Sequence, residues 1–331
     1  MAMDLPHIRI HPQCGACEMS FQRGICITLD AGLYPGSEYC EQKPGSYIFC
    51  RFTQCRGCRI TSESITCHTD CFNLVKGLSD GTLQRLWVAA TWRYPWPHSS
   101  PLLLPSEDPI EDYIQLASNI CDLPLLNKLP NEIKTTIIQH CGPDLFWRYA
   151  SSIKLIKELE SAQNSTDSTI LLPLIEIESW YRGSEPILSK DDNNRGIIRL
   201  TIDARGLREI CRFSSPPKPE ALSTHSSYFL YIFKQAIQLS HTKVQFKIGL
   251  GRLIIPVTTS LQLWDCPAPP PWSMIQSRQL IKKPHIKRFT TINLKQYHGL
   301  TFFISSRGIS SIHLYTLRSP DTMKTFTALI P

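Results

Sequence analysis

The sequence predicts an α+β chain: a small zinc-stabilised, treble-clef-like N-terminal module, then a helical hairpin, then a mainly antiparallel β C-terminal domain. Three observations carry that expectation. Nine of the thirteen cysteines fall between Cys14 and Cys71. Residues 108–160 repeat their apolar side chains with a period near four, as one face of a helix requires. Beyond Thr169 the period changes to two, as a half-buried strand requires.

The cysteines define the first segment, residues 1–78. A disulfide framework needs an oxidising compartment, and Asp4, Pro6, His7 and Arg9 stand where a secretory signal needs an apolar run. The chain is therefore read as intracellular, cytoplasmic or nuclear, with its thiols available to metal. Three pairs have knuckle spacing: Cys14-x2-Cys17, Cys55-x2-Cys58 and His68-x2-Cys71. In a C-x2-C turn both sulfurs converge and leave two corners of a tetrahedron for distant ligands, which suits zinc. The third pair precedes Phe72-Asn73-Leu74-Val75 and belongs in the first turn of a short helix.

We expect Cys14 and Cys17 to share an ion with His68 and Cys71. The chain between them is long enough for small hairpins built from Cys26–Leu29 and Tyr47–Phe52. Cys55 and Cys58 then anchor a second ion, with Cys50 the nearest further ligand, followed by Cys67, Cys26 and Cys40. A competing arrangement places Cys55, Cys58, His68 and Cys71 around one ion, and spacing alone does not choose between one zinc and two. The surplus of thiols argues for a closed structural site, because a catalytic zinc needs an open position and a base. Small buried unliganded thiols are the bland alternative, and the expected state of Cys121, Cys141, Cys211 and Cys266.

Residues 79–107, with Leu86-Trp87-Val88, Trp92-Arg93-Tyr94-Pro95-Trp96-Pro97, Pro101 and Pro105, read as an ordered proline- and tryptophan-rich connector. In the next segment Ile133, Ile137 and Cys141 form one helical stripe, broken at Gly142-Pro143. Asp144 can cap a second helix bearing Leu145, Tyr149, Ile153 and Ile156. Ser161 to Thr169 is polar and reads as a linker. In residues 170–331, Ile198, Leu200 and Ile202 alternate with polar neighbours, as do Val244, Phe246 and Ile248. Leu300–Ile304 and Ile309–Tyr315 flank a glycine-bearing turn and form a hairpin. Pro267, Pro269, Pro270 and Pro271 exclude a central strand there.

Several function classes find no support in the residues. No apolar run approaches the roughly 18–20 residues that cross a bilayer, so no membrane association is expected. No P-loop, nucleophile elbow or H-E-x-x-H pattern occurs. Gly249-Leu250-Gly251 lacks a third glycine and a following helix, and reads as a turn after a strand. Asp203, Glu209 and Asp265 read as solvated or turn-satisfying acids, and His313 as a strand histidine. Trp92, Trp96 and Trp264 read as packing residues. The formal charge is +7, and from Trp272 onward nine bases face Asp321 alone. Such a tail is an alternative nucleic-acid surface, although scattered bases are more often a solvated face.

Leu129-Pro130-Asn131-Glu132-Ile133, with Ile137 and the second helix from Leu145, resembles the opening of an F-box over about thirty residues. The resemblance implies a helical hairpin that docks on the Skp1 subunit of a cullin ubiquitin ligase through Leu129, Pro130, Glu132, Ile133 and Ile137. Phe146-Trp147-Arg148-Tyr149 departs from that family's leucine, valine and cysteine pattern. A second resemblance rests on Cys14-Gly15-Ala16-Cys17, Cys50 to Cys58, His68-Thr69-Asp70-Cys71-Phe72, Trp92-Arg93-Tyr94-Pro95-Trp96, Trp264-Asp265-Cys266-Pro267 and Gly299 to Phe303. These look like a group of filamentous-fungal proteins without assigned function. Members continue past the final hairpin with more β-structure, which implies that a β domain ending at Pro331 is incomplete. The expected function is a non-enzymatic adaptor with one or two structural Zn2+ ions and a protein partner. Nucleic-acid binding is the alternative, and a hydrolase or sugar-binding reading requires a pocket with two converging carboxylates.

Overall fold

A computed structural model describes residues 7–21, 26–30, 48–52, 55–61, 63–78, 82–97, 111–141, 144–161, 168–189, 196–217, 227–233, 241–256, 261–266, 287–289, 297–305, 308–316 and 323–327. The chain is α+β with a β-rich C-terminal region.

The cysteine-rich segment holds β1 (His7–Arg9), β2 (Cys26–Asp30), β3 (Ile48–Cys50), α1 (Arg56–Ile60), β4 (Ser64–His68) and α2 (Thr69–Leu78). The runs expected to form hairpins do not pair with each other. Instead β3 pairs in parallel with β1, and β2 pairs antiparallel with β4. Parallel neighbours cannot be joined by a two-residue reversal, so strand pairing here depends on longer connections.

The stretch read as a connector differs from expectation at its start, where Thr82–Trp92 forms α3. Leu86, Ala89 and Ala90, spaced i, i+3 and i+4, are buried on one side of it. Flanking prolines obscured that helical stripe. Three further helices follow: α4 (Glu111–Ile120), α5 (Asn131–Cys141) and α6 (Leu145–Ser161), with a 3-10 turn over Pro124–Lys128. Pro130 precedes α5 and its carbonyl accepts the Lys134 N–H at 3.1 Å. Asp144 occupies the cap position of α6, its carbonyl accepting the Arg148 N–H at 3.0 Å. One stripe of α6, including Leu155, Ile156 and Leu159, packs into a core with α3, Phe72, Val75 and the cysteines. Phe146, Trp147, Ala150 and Ile153 of the same helix pack on Ile114 and Ala117 of α4.

The β-rich region begins with β5 (Ile170–Pro173), β6 (Ile177–Tyr181), β7 (Ile187–Leu188), β8 (Ile197–Asp203) and β9 (Gly206–Phe213). It continues through β10 (Ser227–Phe233), β11 (Lys243–Lys247), β12 (Leu250–Ile254), β13 (Gln262–Trp264) and β14 (Lys287–Phe289). A seven-stranded sheet has the order β14-β13-β10-β8-β9-β6-β7, and a three-stranded sheet the order β12-β11-β5. Ladders within both are antiparallel except β13–β14. Ile198, Leu200 and Ile202 of the large sheet meet Val244, Phe246 and Leu253 of the small one in a shared core. The last strands, β15 (Tyr297–Ser305), β16 (Gly308–Thr316) and β17 (Met323–Thr327), form an antiparallel sheet that contains the expected hairpin. Residues 162–167 of the expected linker, Gly142-Pro143 and Pro267–Pro271 lie outside the described residues.

The β11–β12 turn joins the two halves of the molecule. Lys247 pairs with Leu250, leaving a two-residue turn in which Ile248 and Gly249 have φ of 47° and 71°. Positive φ at both positions is the type I′ pattern, and it is strained for a β-branched residue. Ile248 is nonetheless buried, inside the cluster made by the cysteines, α3 and α6. Nearby, Leu253 N–H donates to Pro95 O at 2.8 Å, and Arg252 pairs with Glu63 while lying 5.1 Å from the Trp92 ring centre.

Gly206 marks a second point of close approach. Its φ is +96°, and a Cβ there would collide with the Trp92 carbonyl. We expect Gly206→Ala to destabilise the protein by about 2–4 kcal/mol, because it adds both overlap and a disfavoured backbone angle. Urea unfolding checks this: the midpoint should fall with little change of slope, whereas an unchanged midpoint would contradict the packing described.

Candidate metal centres

Two groups of four donors can hold metal ions: Cys14, Cys17, His68 and Cys71, and His7, Cys50, Cys55 and Cys58. Within each group the donor atoms all lie within 4.8 Å of one another. Both groups have the composition Cys3His.

The first group is assembled by a turn, a strand end and a helix start. Cys14 N–H donates to Met19 O at 2.9 Å and Glu18 N–H to Cys14 O at 3.0 Å, closing the turn, with Glu18 at φ 66°. Arg93 braces it from the end of α3: its guanidinium donates to Cys14 O at 3.3 Å and Gly15 O at 2.8 Å, and pairs with Glu18 at 3.2 Å. His68 ends β4 and Cys71 lies in the first turn of α2. A zinc tetrahedron with Zn–S near 2.3 Å and Zn–N near 2.0–2.1 Å has sulfur–nitrogen edges of about 3.6 Å. Cys17 Sγ and Cys71 Sγ lie 3.4 and 3.8 Å from His68 Nδ1. The His68 N–H also points at Cys14 Sγ at 3.4 Å. All four residues are buried.

The second group gathers around the Cys55–Cys58 turn. Cys50 ends β3, and the parallel β1–β3 ladder brings in His7, whose Nδ1 lies 3.1 Å from Cys55 Sγ. Gly57 is required inside this turn, because a Cβ there would lie 2.6 Å from His7 Cγ. Sequence reasoning missed His7, which has no cysteine at knuckle spacing. Its signal was the strand alternation of β1: Ile8 is buried, and His7 shares the opposite side with Arg9.

The expected partners of Cys14 and Cys17 are thus the ones brought to them. The competing single-ion set is not assembled, since Cys55 and Cys58 stand in one group and His68 and Cys71 in the other. Cys67 is buried against Cys14 but lies outside the four-donor set. The Cys26 side chain and Cys40 lie outside the described residues. Among the described residues the cysteines are free and form no disulfide.

The thiols are electrostatically crowded. Hydrogen bonds donated first by Cys17, then by Cys67 and Cys71, push the Cys14 thiol far below its ordinary value. The Cys14 sulfur drives Cys17 upward, and it is the main cause raising Cys71 to about 12. In the second group the Cys58 N–H is the main cause holding Cys55 down at about 7, with the Cys50 and Cys58 thiols and the Gly57 N–H adding to it. Burial, then the Cys50 and Cys55 thiols, pushes Cys58 up to about 12. The thiols of each group thus ionise unequally, because a charge on one sulfur is stabilised by its neighbours and opposes ionisation of theirs. Full ionisation needs a cation, and a bound divalent ion deprotonates coordinating thiols outright.

Other sequence-derived candidates occupy separate places. Asp203 is held by Arg182 at 2.6 and 2.9 Å, and Glu209 by Arg199 at 3.1 Å and Thr201 at 2.8 Å. Neither lines the cleft of about 460 Å³ between α6 and the β11–β12 turn, where Glu158 is ion-paired to Arg205. Trp92 and Trp264 are buried packing residues, and Trp96 packs against the core between the sheets. Of the F-box-like residues, Ile137 of α5 packs against the cluster between α4 and α6, Leu129 is half-buried, and Pro130, Glu132 and Ile133 are exposed. Arg93, Arg182, Arg199, Arg205 and Arg252 are each engaged by an acid. In the basic C-terminal stretch, Arg278, Lys282, Lys283, Lys295, Arg307 and Arg318 lie outside the described residues. Among the described residues no helix is long and apolar enough to cross a membrane. None of the protein-family models, curated proteins or solved structures compared with the chain matches it.

With metal removed, Cys55 is expected to alkylate first near neutral pH, faster than Cys58 by about tenfold or more, because its thiolate fraction is larger. Its rate should rise as pH passes about 7, the value at which that thiol ionises. Peptide mass mapping after timed alkylation reads both rates, and equal rates at Cys55 and Cys58 would contradict the arrangement.

Proposed function

We propose that the protein is a non-enzymatic intracellular adaptor whose N-terminal segment is a zinc-braced, treble-clef-like module and whose α4–α6 region docks a protein partner. The observation that carries the metal part is the pair of closed Cys3His groups. Four protein donors complete a tetrahedron and leave no position for water or substrate, which is the arrangement of a structural zinc. A turn-borne pair joined to a strand-end histidine and a helix-borne cysteine supports the treble-clef comparison for the first group.

The surface of the F-box-like region supports the docking part. Leu116, Ile120, Leu123, Leu125, Ile133 and Leu145 are large apolar residues that stay exposed within 116–145. Large apolar side chains left in water are the kind of surface that a protein partner would cover. The F-box resemblance names the occupant, a Skp1-like subunit. In that reading α6 anchors the region to the core, while Pro130 and the first turn of α5, with Glu132 and Ile133, face outward.

Two outcomes are expected. Native mass spectrometry should find two zinc ions per chain, and chelation should lower the thermal midpoint by about 10 °C or more, since a structural site contributes folding free energy. A protein that keeps its midpoint without metal would remove the structural role. Co-purification with a Skp1-like subunit should be lost or weakened about tenfold or more in an Ile133→Asp, Leu125→Asp variant that retains its zinc. Absence of the subunit from the wild-type preparation, with a known F-box control positive, would remove the docking part.

A further inference from the structure

The donors of the two groups interleave along the chain. His7 belongs to the second group, Cys14 and Cys17 to the first, Cys50, Cys55 and Cys58 to the second, and His68 and Cys71 to the first. No contiguous stretch supplies either set. Both depend on the segment from His7 to Cys14, which has a donor for one ion at each end.

That segment is bonded to both sets of neighbours. Toward the second group, Thr61 Oγ1 donates to His7 O at 2.8 Å and Ile10 N–H donates to Cys50 O at 2.9 Å. Toward the first, Ser64 Oγ donates to Arg9 O at 2.7 Å and His11 N–H donates to Thr66 Oγ1 at 3.0 Å. Gly15 N–H donates to Thr66 O at 2.8 Å. Ser64 and Thr66 are buried members of β4, the strand that ends at His68. Fixing His7 therefore fixes the backbone that positions Cys14, and fixing His68 fixes the strand on which residues 9–15 lie.

Resting on the structural-zinc reading, we propose that the two groups form one cooperative two-metal unit, with His7 completing the second site. The first ion to bind must order the shared segment against its conformational entropy. The second meets that segment already ordered and binds more tightly, which is positive coupling without contact between the ions. Thermodynamic linkage makes the effect reciprocal.

Titration of the metal-free full chain with zinc, read by native mass spectrometry, tests this. At half-saturation we expect mainly metal-free and two-zinc protein. Independent equal sites would instead leave about half of the molecules with a single ion, and unequal ones more. A one-zinc population of that size overturns the coupling while leaving the structural-zinc reading intact. Binding of no zinc at all removes that reading and the coupling with it. Two variants locate the effect. Cys58→Ala should weaken Co2+ binding at the first group by about tenfold or more, followed by thiolate-to-cobalt absorption. The Ser64→Ala, Thr66→Val protein, which keeps every donor, should still take up two ions but accumulate the one-ion form. Unchanged cobalt affinity in the first variant, or an unaltered all-or-none pattern in the second, overturns the proposed route.

Discussion

Sulfur atoms packed against one another in a protein core cannot all ionise unless a cation sits among them. Around the first group this constraint operates at full strength, because Cys14, Cys17, Cys67 and Cys71 are nearly inaccessible to water. The same atoms belong to the apolar cluster on which α3, α6 and Ile248 pack. Disturbance at the sulfurs is therefore transmitted to two helices and a β-turn. A small knuckle at the surface would have no such reach.

The β-rich half is attached at the same place. Ile248 adopts a left-handed backbone angle uncommon for its type, and burial of its side chain in the sulfur-containing cluster offsets that strain. Arg252 reaches Glu63, just ahead of β4, and Gly206 meets the end of α3 without room for a methyl group. These contacts span nearly two hundred residues of sequence. They make the cysteine-rich segment part of the central core, although its composition alone marks it as a separate appendage.

The helical region divides its labour by face. One side of α4 and α6 is buried around Ile114, Trp147 and Ile153, while Leu116, Ile120 and Leu145 remain outside. An anchored helix with apolar residues left in water is suited to binding another protein, and rigid anchorage limits the ordering entropy that binding would cost. That economy links the first donor group to the proposed adaptor role, since Cys14, Cys17 and Cys71 lie in the core into which α6 packs.

Much of this was written in local pattern. The Cys14-x2-Cys17 and Cys55-x2-Cys58 spacings specify turns whose sulfurs converge, and the alternation around Ile198–Ile202 specifies which side of β8 faces inward. The stripe from Leu145 to Ile156 specifies a helix, as observed. Such features depend on neighbours within a few residues, where backbone geometry fixes side-chain direction. The sequence by itself therefore determined the α+β class and the identity of most sulfur donors. Tertiary structure alone decided that His7 joins Cys50, Cys55 and Cys58, that β1 runs parallel to β3, and that Thr82–Trp92 packs into the core shared with the cysteines and α6. Those outcomes arise from contacts between distant segments, and no spacing rule encodes which strand a lone histidine will lie beside.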